Sequence, residues 1–368
     1  MNLKRISRDE FVYGLLLLAS LPNLGPVRIK KIVNKLGSPL DFFTLTTKKI
    51  AGLTGLNTSL INQLKKEVDE TVAEKQWKRI KATNIEYVHY WEEAYPKKLK
   101  VLPDAPPILF YLGNPEVTNF SSITIVGTRT PSQYGINVTK KLVSELSLHH
   151  IPIVSGLARG IDSVAHMEAV SCGNITIAVL ASGPDIIYPP ENKKLAQQIQ
   201  DSGLLISEFP PGTRPEPSYF TRRNRIISGL SDGVIIVEAA VKSGALITAN
   251  YALEQNKEIF AIPGEITNPL SHGCLKLIQE GAKCIISLDD IFDELPYLKG
   301  TESSKQADLS LLTELQIKIL DLLGNQTLHI DELHIKSGLD QSTLYSILLE
   351  MELDGYVQQL AGNMFCRN

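Results

Sequence analysis

Between about residues 121 and 295, short runs of β-branched and apolar residues recur at helix-length spacing. They are "ITIVG" (Ile123–Gly127), "IPIVSG" (Ile151–Gly156), "ITIAVLASG" (Ile175–Gly183), "GLLISEF" (Gly203–Phe209), "GVIIVEA" (Gly233–Ala239), "EIFAIPG" (Glu258–Gly264) and "AKCIIS" (Ala282–Ser287). Runs that are apolar throughout, rather than alternating, predict parallel strands covered on both faces, and the helical spacers between them supply the cover. The fold class that follows is α/β: an extended, Rossmann-like, doubly wound and mostly parallel sheet spanning residues 121–295. A chain of 368 residues builds that core and has length left for smaller flanking domains.

The flanks carry different patterns. Residues 1–70 are helical and contain "LPNLGPVRIKKIVNKLGSP" and "LTGLNTSLINQLKK". An apolar turn at Gly25 and Pro26, followed by Arg28, Lys30 and Lys31, predicts an all-α domain that reads like a helix-hairpin-helix, in which glycine exposes backbone amides to a phosphate. A small helical bundle with a tight turn gives the same pattern. Residues 71–120 are expected to be a connector leading into the sheet domain, and 296–309 ("PYLKGTESSKQADL") a linker. Residues 310–368 show apolar positions at helical spacing followed by a hairpin-like tail, which predicts a winged-helix-like domain. Asp331, Glu332, Asp340, Glu350, Glu352 and Asp354 favour protein contact over DNA contact for that domain.

The opening "MNLKRISRDEFVYGLLLLAS" imitates a signal peptide. Asp9 and Glu10 directly before the apolar stretch and the missing A-x-A pattern favour a buried helix instead. Cys172, Cys274, Cys284 and Cys366 form no CxxC pair, which predicts a reducing, cytoplasmic setting, and no later segment is long enough to span a bilayer.

In an open parallel sheet, ligands bind at the carboxyl ends of the strands. There the sequence turns glycine-rich, in "GTRTPSQYG", "SGLARGID", "ASGPDIIYPPENKKL" and "EAAVKSGALITA", so backbone amides at helix starts can meet an anion. The glycine spacing is not that of the dinucleotide fingerprint, and no Walker P-loop occurs. An ordinary nicotinamide or ATP enzyme is disfavoured. His166, near Asp162, has the setting of a core histidine, and Glu238 at a strand end could be a general base, but no nucleophile accompanies either residue. Histidine and cysteine spacing gives no zinc site, so neither metal nor cofactor is expected.

A net charge of −3 excludes a uniformly basic DNA-coating protein, and any polyanion site must be local. "PPGTRPEPSYFTRRNRIISG" supplies one: Arg214, Arg222, Arg223 and Arg225 beside Tyr219 and Phe220. Cations that follow phosphates and aromatic faces that stack bases are what single-stranded nucleic acid requires. Arg223 and Arg225 lie two apart and cannot share a helix face, so at least one arginine is expected to pair internally.

The blocks "IVGTRTPSQYG", "IVSGLARGIDSVAH", "LASGPDIIYPPENKKL", "FTRRNRIISGLSDGVIIVEAAVKSGALITANYALEQNKEIFAIPG" and "SHGCLKLIQEGA" resemble, in order, those of the DNA-processing protein A (DprA, or Smf) family. The resemblance implies an N-terminal SAM-like or helix-hairpin-helix domain, a C-terminal winged-helix-like domain and a protein that is not an enzyme. Such a protein binds and protects incoming single-stranded DNA, loads the RecA recombinase onto it in natural transformation and DNA recombination, and forms a homodimer through the sheet domain. It implies a DNA pocket made of Gly127, Thr128, Arg129 and Ser132 with Phe220, Arg222, Arg223, Asn224 and Arg225. Ser155, Gly156 and Arg159, and Lys242, Ser243 and Gly244, are the expected neighbours. Many relatives have a proline after the phenylalanine and a lysine ahead of it; this chain has Thr221, Pro217 and Ser218, which leaves Arg214 as the substitute cation.

Two other readings compete. A nucleotide-processing enzyme of the lysine-decarboxylase-like Rossmann group would need P-G-G-x-G-T-x-x-E, where this chain has "VEAAVKSGALITA". A scaffold for protein contact fits the acidic C-terminal region.

Overall fold

The computed structural model describes residues 6–299, 313–324, 327–353, 356–360 and 362–367. They fall into two compact units that divide after Lys299.

The first unit is organised by a nine-stranded sheet in the order β1-β2-β6-β5-β4-β3-β7-β8-β9. The strands are β1 (Glu86–His89), β2 (Ile108–Gly113), β3 (Ile123–Val126), β4 (Ile153–Ser155), β5 (Thr176–Val179), β6 (Leu204–Ser207), β7 (Gly233–Ile236), β8 (Glu258–Ala261) and β9 (Lys283–Cys284). From β6 to β9 every pairing is parallel. Every residue of β3, β5, β6 and β7 is buried, as apolar runs covered on both faces require. Alternate residues feed two cores: Val234 and Ile236 pack with Ile177, Ile206 and Ile226, and Ile235 and Val237 pack with Ile125, Leu142 and Phe292.

The chain winds outward from β3 in both directions, through β4, β5 and β6 to one side and through β7, β8 and β9 to the other. The switch point is therefore between β3 and β7, where the connections diverge and leave a crevice at the carboxyl ends.

The stretch 71–120, expected as a connector, contributes to the sheet. Its strands β1 and β2 pair antiparallel with each other, and β2 pairs antiparallel with β6. β1 is four residues that begin on the exposed Glu86, and the apolar run of β2 directly follows a proline- and lysine-rich stretch that reads as a connector. Residues 8–82 fold as helices Arg8–Ser20, Pro26–Leu36, Asp41–Thr44, Thr47–Thr54, Thr58–Lys66 and Glu70–Ala82. Helix Arg8–Ser20 holds the signal-like stretch. Ser7 and Glu10 form a capping box at its start, and Phe11, Val12 and Leu15 to Leu18 are buried. Among the described residues, no helix is long and apolar enough to cross a membrane.

The second unit has helices Glu314–Leu323, Ile330–Ser337 and Gln341–Leu353 and a small antiparallel sheet, β10 (Leu328–His329), β11 (Val357–Leu360) and β12 (Met364–Arg367), in the order β10-β12-β11. It is a winged helix around Ile319, Leu333, Leu344, Leu348 and Phe365. Of the expected linker 296–309, Pro296–Leu298 is a 3₁₀ turn with Leu298 buried, and the part from Gly300 onward lies outside the described residues.

Candidate nucleic-acid interface

A cleft of about 510 Å³ opens at the switch point. One wall is the turn after β3. Thr128 N donates to the Glu238 carbonyl at 2.7 Å, and Ile161 N donates to the Thr128 carbonyl at 3.1 Å, so Gly127, Thr128 and Arg129 are pinned between the ends of β4 and β7. Gly160 makes this approach possible. Its φ is +78°, and a Cβ there would stand 2.2 Å from the Thr128 carbonyl oxygen.

Ser132 caps helix Gln133–Leu148, accepting from Gly135 N at 3.2 Å. Its own N–H and hydroxyl donate to the Glu238 carboxylate at 2.9 and 2.5 Å. Glu238 is buried and anchors this turn, a role that replaces the general base considered from the sequence. Ser132 stands behind the cleft and does not line it.

The opposite wall is helix Pro217–Leu230, which carries the arginines. Helical periodicity divides its side chains. Phe220, Arg223, Asn224 and Ile227 line the cleft, and Arg222 and Arg225 do not. Arg225 is buried in an ion pair with Glu208 at 2.6 Å and with Asp104 at 3.2 Å. Arg222 meets the same Glu208 carboxylate at 2.8 Å and lies 5.3 Å from the Phe209 ring. The arginines thus face two ways, as their spacing requires, and internal pairing claims Arg225 and, in part, Arg222 through the same Glu208 carboxylate.

Arg223 closes the floor. It is buried, its Nη1 donates to the Gly156 carbonyl at 2.5 Å and to the Val179 carbonyl, and its Nε donates to Asn224 Oδ1 at 3.2 Å. Burial pulls its pKa down to about 10, and nearby Asp162 opposes that shift, so Arg223 remains a cation at neutral pH. Burial pushes the Asp162 carboxyl up, against the pull of Arg223 and the amide of Gly156, which donates to it at 3.1 Å. Asn224 Nδ2 ties the floor to the loop after β7 through the Gly244 carbonyl at 3.3 Å. Ser243 caps the helix that starts at Gly244, and both residues line the cleft.

At the mouth, Arg129 lies 5.5 Å from the centroid of the Phe220 ring, and Tyr188 meets that ring edge-on at 5.6 Å. Arg129 is exposed and forms no ion pair among the described residues. Sequence reasoning missed Tyr188; its signal was the aromatic in "IIYPP" just past a strand end. Other expected residues fall elsewhere. Ser155 is buried, donating to the Ile125 carbonyl at 2.6 Å, and Gly156 serves as the close-packed neighbour of the Arg223 guanidinium. Arg159 pairs on the surface with Glu191 at 2.5 Å, which raises its pKa. Arg214 and Lys242 are exposed outside the lining.

His166 is buried with Nδ1 2.7 Å from the Thr176 hydroxyl, and burial beside Arg223 drops its pKa to about 3, which keeps the ring neutral. Among the described residues, no group of three or more His, Cys, Asp or Glu could hold a metal ion.

A profile described as "DNA recombination-mediator protein A" matches residues 86–296, the sheet with both of its antiparallel strands. The chain belongs to the DprA family. The profile "DprA winged helix domain" matches 303–363. DNA processing protein DprA of Streptococcus pneumoniae is 39% identical over 249 residues, 67% of this chain and 86% of that one. The Bacillus subtilis DprA is 48% identical over 203 residues, 55% of this chain and 68% of that one. The S. pneumoniae DprA crystal structure superposes with a TM-score of 0.67 at 35% identity, covering 79% of this chain and 99% of that one. DprA of Helicobacter pylori, whose structure is described as showing a single-stranded DNA binding mode, superposes with a TM-score of 0.53 at 31% identity, covering 58% of this chain and 96% of that one.

Proposed function

We propose that this protein binds single-stranded DNA in the switch-point cleft, through a base stacked at Phe220 and phosphates held by Arg129 and Arg223 at the rim formed by Gly127, Thr128, Ser243 and Gly244. The observation that carries this reading is an exposed cation without an ion pair among the described residues, set over an aromatic ring at the mouth of a glycine-rimmed cleft. The single-strand-binding relative in the same family supports it. Ser132 supports the turn from behind, and Arg222 and Arg225 brace the helix that presents Phe220.

The protein acts as a non-enzymatic mediator in the cytoplasm: it protects incoming DNA and loads RecA onto it during natural transformation and recombination. It works as a homodimer joined through the sheet domain, with the acidic winged helix as a protein-contact module. The engagement of Glu238 by Ser132 and the neutral, buried His166 speak against the nucleotide-processing alternative. Arg129→Ala should weaken oligo-dT binding and flatten its salt dependence by about 0.7 in the slope of log affinity against log salt, the value for one phosphate contact on a single strand. Unchanged affinity and slope would remove the site from this cleft. Deleting residues 310–368 and comparing DNA affinity with RecA loading separates the two domains' parts.

A further inference from the structure

A second basic concavity lies in the same compact unit, away from the switch-point cleft. Lys30, Lys31 and Lys35 of helix Pro26–Leu36 and Lys100 of the turn Lys97–Lys100 line a cleft of about 450 Å³ with Tyr90 and Leu102 in its wall. Lys30 and Lys100 converge on one ring, their ammoniums 4.6 and 5.9 Å from the Tyr90 centroid. Their hydrogen bonds go to main-chain carbonyls, Lys30 to Leu102 at 3.2 Å and Lys100 to Glu92 at 3.1 Å. Among the described residues, none of the four lysines forms an ion pair with a carboxylate.

Two features of this arrangement are unfavourable without an anion. Lys31 and Lys35 stand four apart on one helix face, where like charges repel. Lys30 is 8% exposed, and burial holds its pKa below the usual lysine range, with Asp104 opposing the shift and Arg225 adding to it. The surroundings add to the positive field, since residues 6–100 hold 16 lysines and arginines against 10 aspartates and glutamates. The concavity sets four ammonium groups around an aromatic wall, a chemistry that suits a chain of phosphodiesters.

We propose that this lysine cleft is a second nucleic-acid site, which holds the sugar–phosphate backbone of DNA outside the segment bound at the switch point. The proposal rests on the reading that the chain binds DNA. Lys31→Gln/Lys35→Gln, both at exposed positions, removes two cations and leaves Lys30 in its packed setting. Binding is measured against salt for oligo-dT of about 6 nucleotides, short enough for one site, and of about 30 nucleotides. Arg129→Ala runs in parallel, and thermal melts of every variant establish that it is folded.

The expected result is unchanged affinity for the short oligomer and, for the long one, weaker binding with a salt slope shallower by about 1.4, two contacts at about 0.7 each. If Arg129→Ala weakens binding and the lysine pair changes neither oligomer, the lysine cleft is not a DNA site and the switch-point reading stands. If the lysine pair weakens long-oligomer binding and Arg129→Ala changes nothing, the lysine cleft stands and the switch-point site falls. Inorganic tripolyphosphate distinguishes the sources of phosphate: binding that the lysine variant abolishes, with DNA slopes unchanged, would make this a small-anion site and overturn the proposal.

Discussion

Arg223 is the residue whose replacement tests the architecture of the cleft most sharply. Its guanidinium satisfies the carbonyls of Gly156 and Val179, contacts Asn224 and offsets the buried carboxyl of Asp162. Arg223→Met keeps most of the apolar stem and removes every one of these interactions. Each buried carbonyl left without its donor costs about 1–3 kcal/mol, and breaking a buried charge pair by removing one partner costs about 3–5 kcal/mol. These terms overlap, because protonation of Asp162 relieves part of the second. The expected loss is about 3–5 kcal/mol of unfolding free energy, or about 2.2 to 3.7 decades in the folding equilibrium at about 1.36 kcal/mol per decade. Urea unfolding followed by the fluorescence of Trp77 and Trp91, both in the same compact unit, reads the change directly. Arg223→Lys separates charge from geometry: an ammonium keeps the charge near Asp162 but lacks the planar fork that reaches two carbonyls, so its loss should be intermediate. A Met variant within about 1 kcal/mol of the parent, or a Lys variant as stable as the parent, would refute the assignment of Arg223 as the cleft's structural floor.

Two further outcomes follow from the same site. His166 should make stability fall in acid: below its ordinary 6.5 the unfolded chain takes up a proton that the folded chain refuses until about 3, so stability is complete above that window and declines as pH drops through it. The decline at pH 5 is about 2 kcal/mol, and unfolding curves for His166→Gln should show a flatter dependence across the window. Gly160→Ala forces a positive φ and a contact of 2.2 Å with the Thr128 carbonyl, so it should displace the Arg129 turn and weaken oligo-dT binding together with stability; a variant that melts and binds like the parent would show that the turn does not depend on this approach.

The strands from β3 to β7 were legible because burial on both faces leaves a continuous apolar run, and β8 and β9 because their apolar runs continue past the paired residues. β1 and β2 were not, since "EYVH" is brief and opens on an exposed glutamate, and "ILFYLG" ends the proline- and lysine-rich stretch that reads as a connector. The glycine-rich rim was legible from the rule that ligands gather at strand ends. The fate of each arginine was not. Adjacent letters in "RRNR" become opposite faces of a helix, and the partners that claim Arg222 and Arg225 lie 14 and 17 positions back at Glu208 and, farther still, at Asp104. Tyr188 was hidden for a related reason, because its ring meets Phe220 only after two connections converge at the cleft mouth.

The two antiparallel strands have a practical consequence at the bench. Tyr87 of β1 and Ile108 and Phe110 of β2 belong to the same apolar cluster as Phe11, Leu15, Ile32 and Phe42 of the N-terminal helices. Trimming the chain at the start of the family-matched region, near residue 86, would bare those three side chains to water. A truncated protein made to isolate the sheet should therefore begin upstream of Phe11, or carry polar replacements at Tyr87, Ile108 and Phe110 to remain monodisperse.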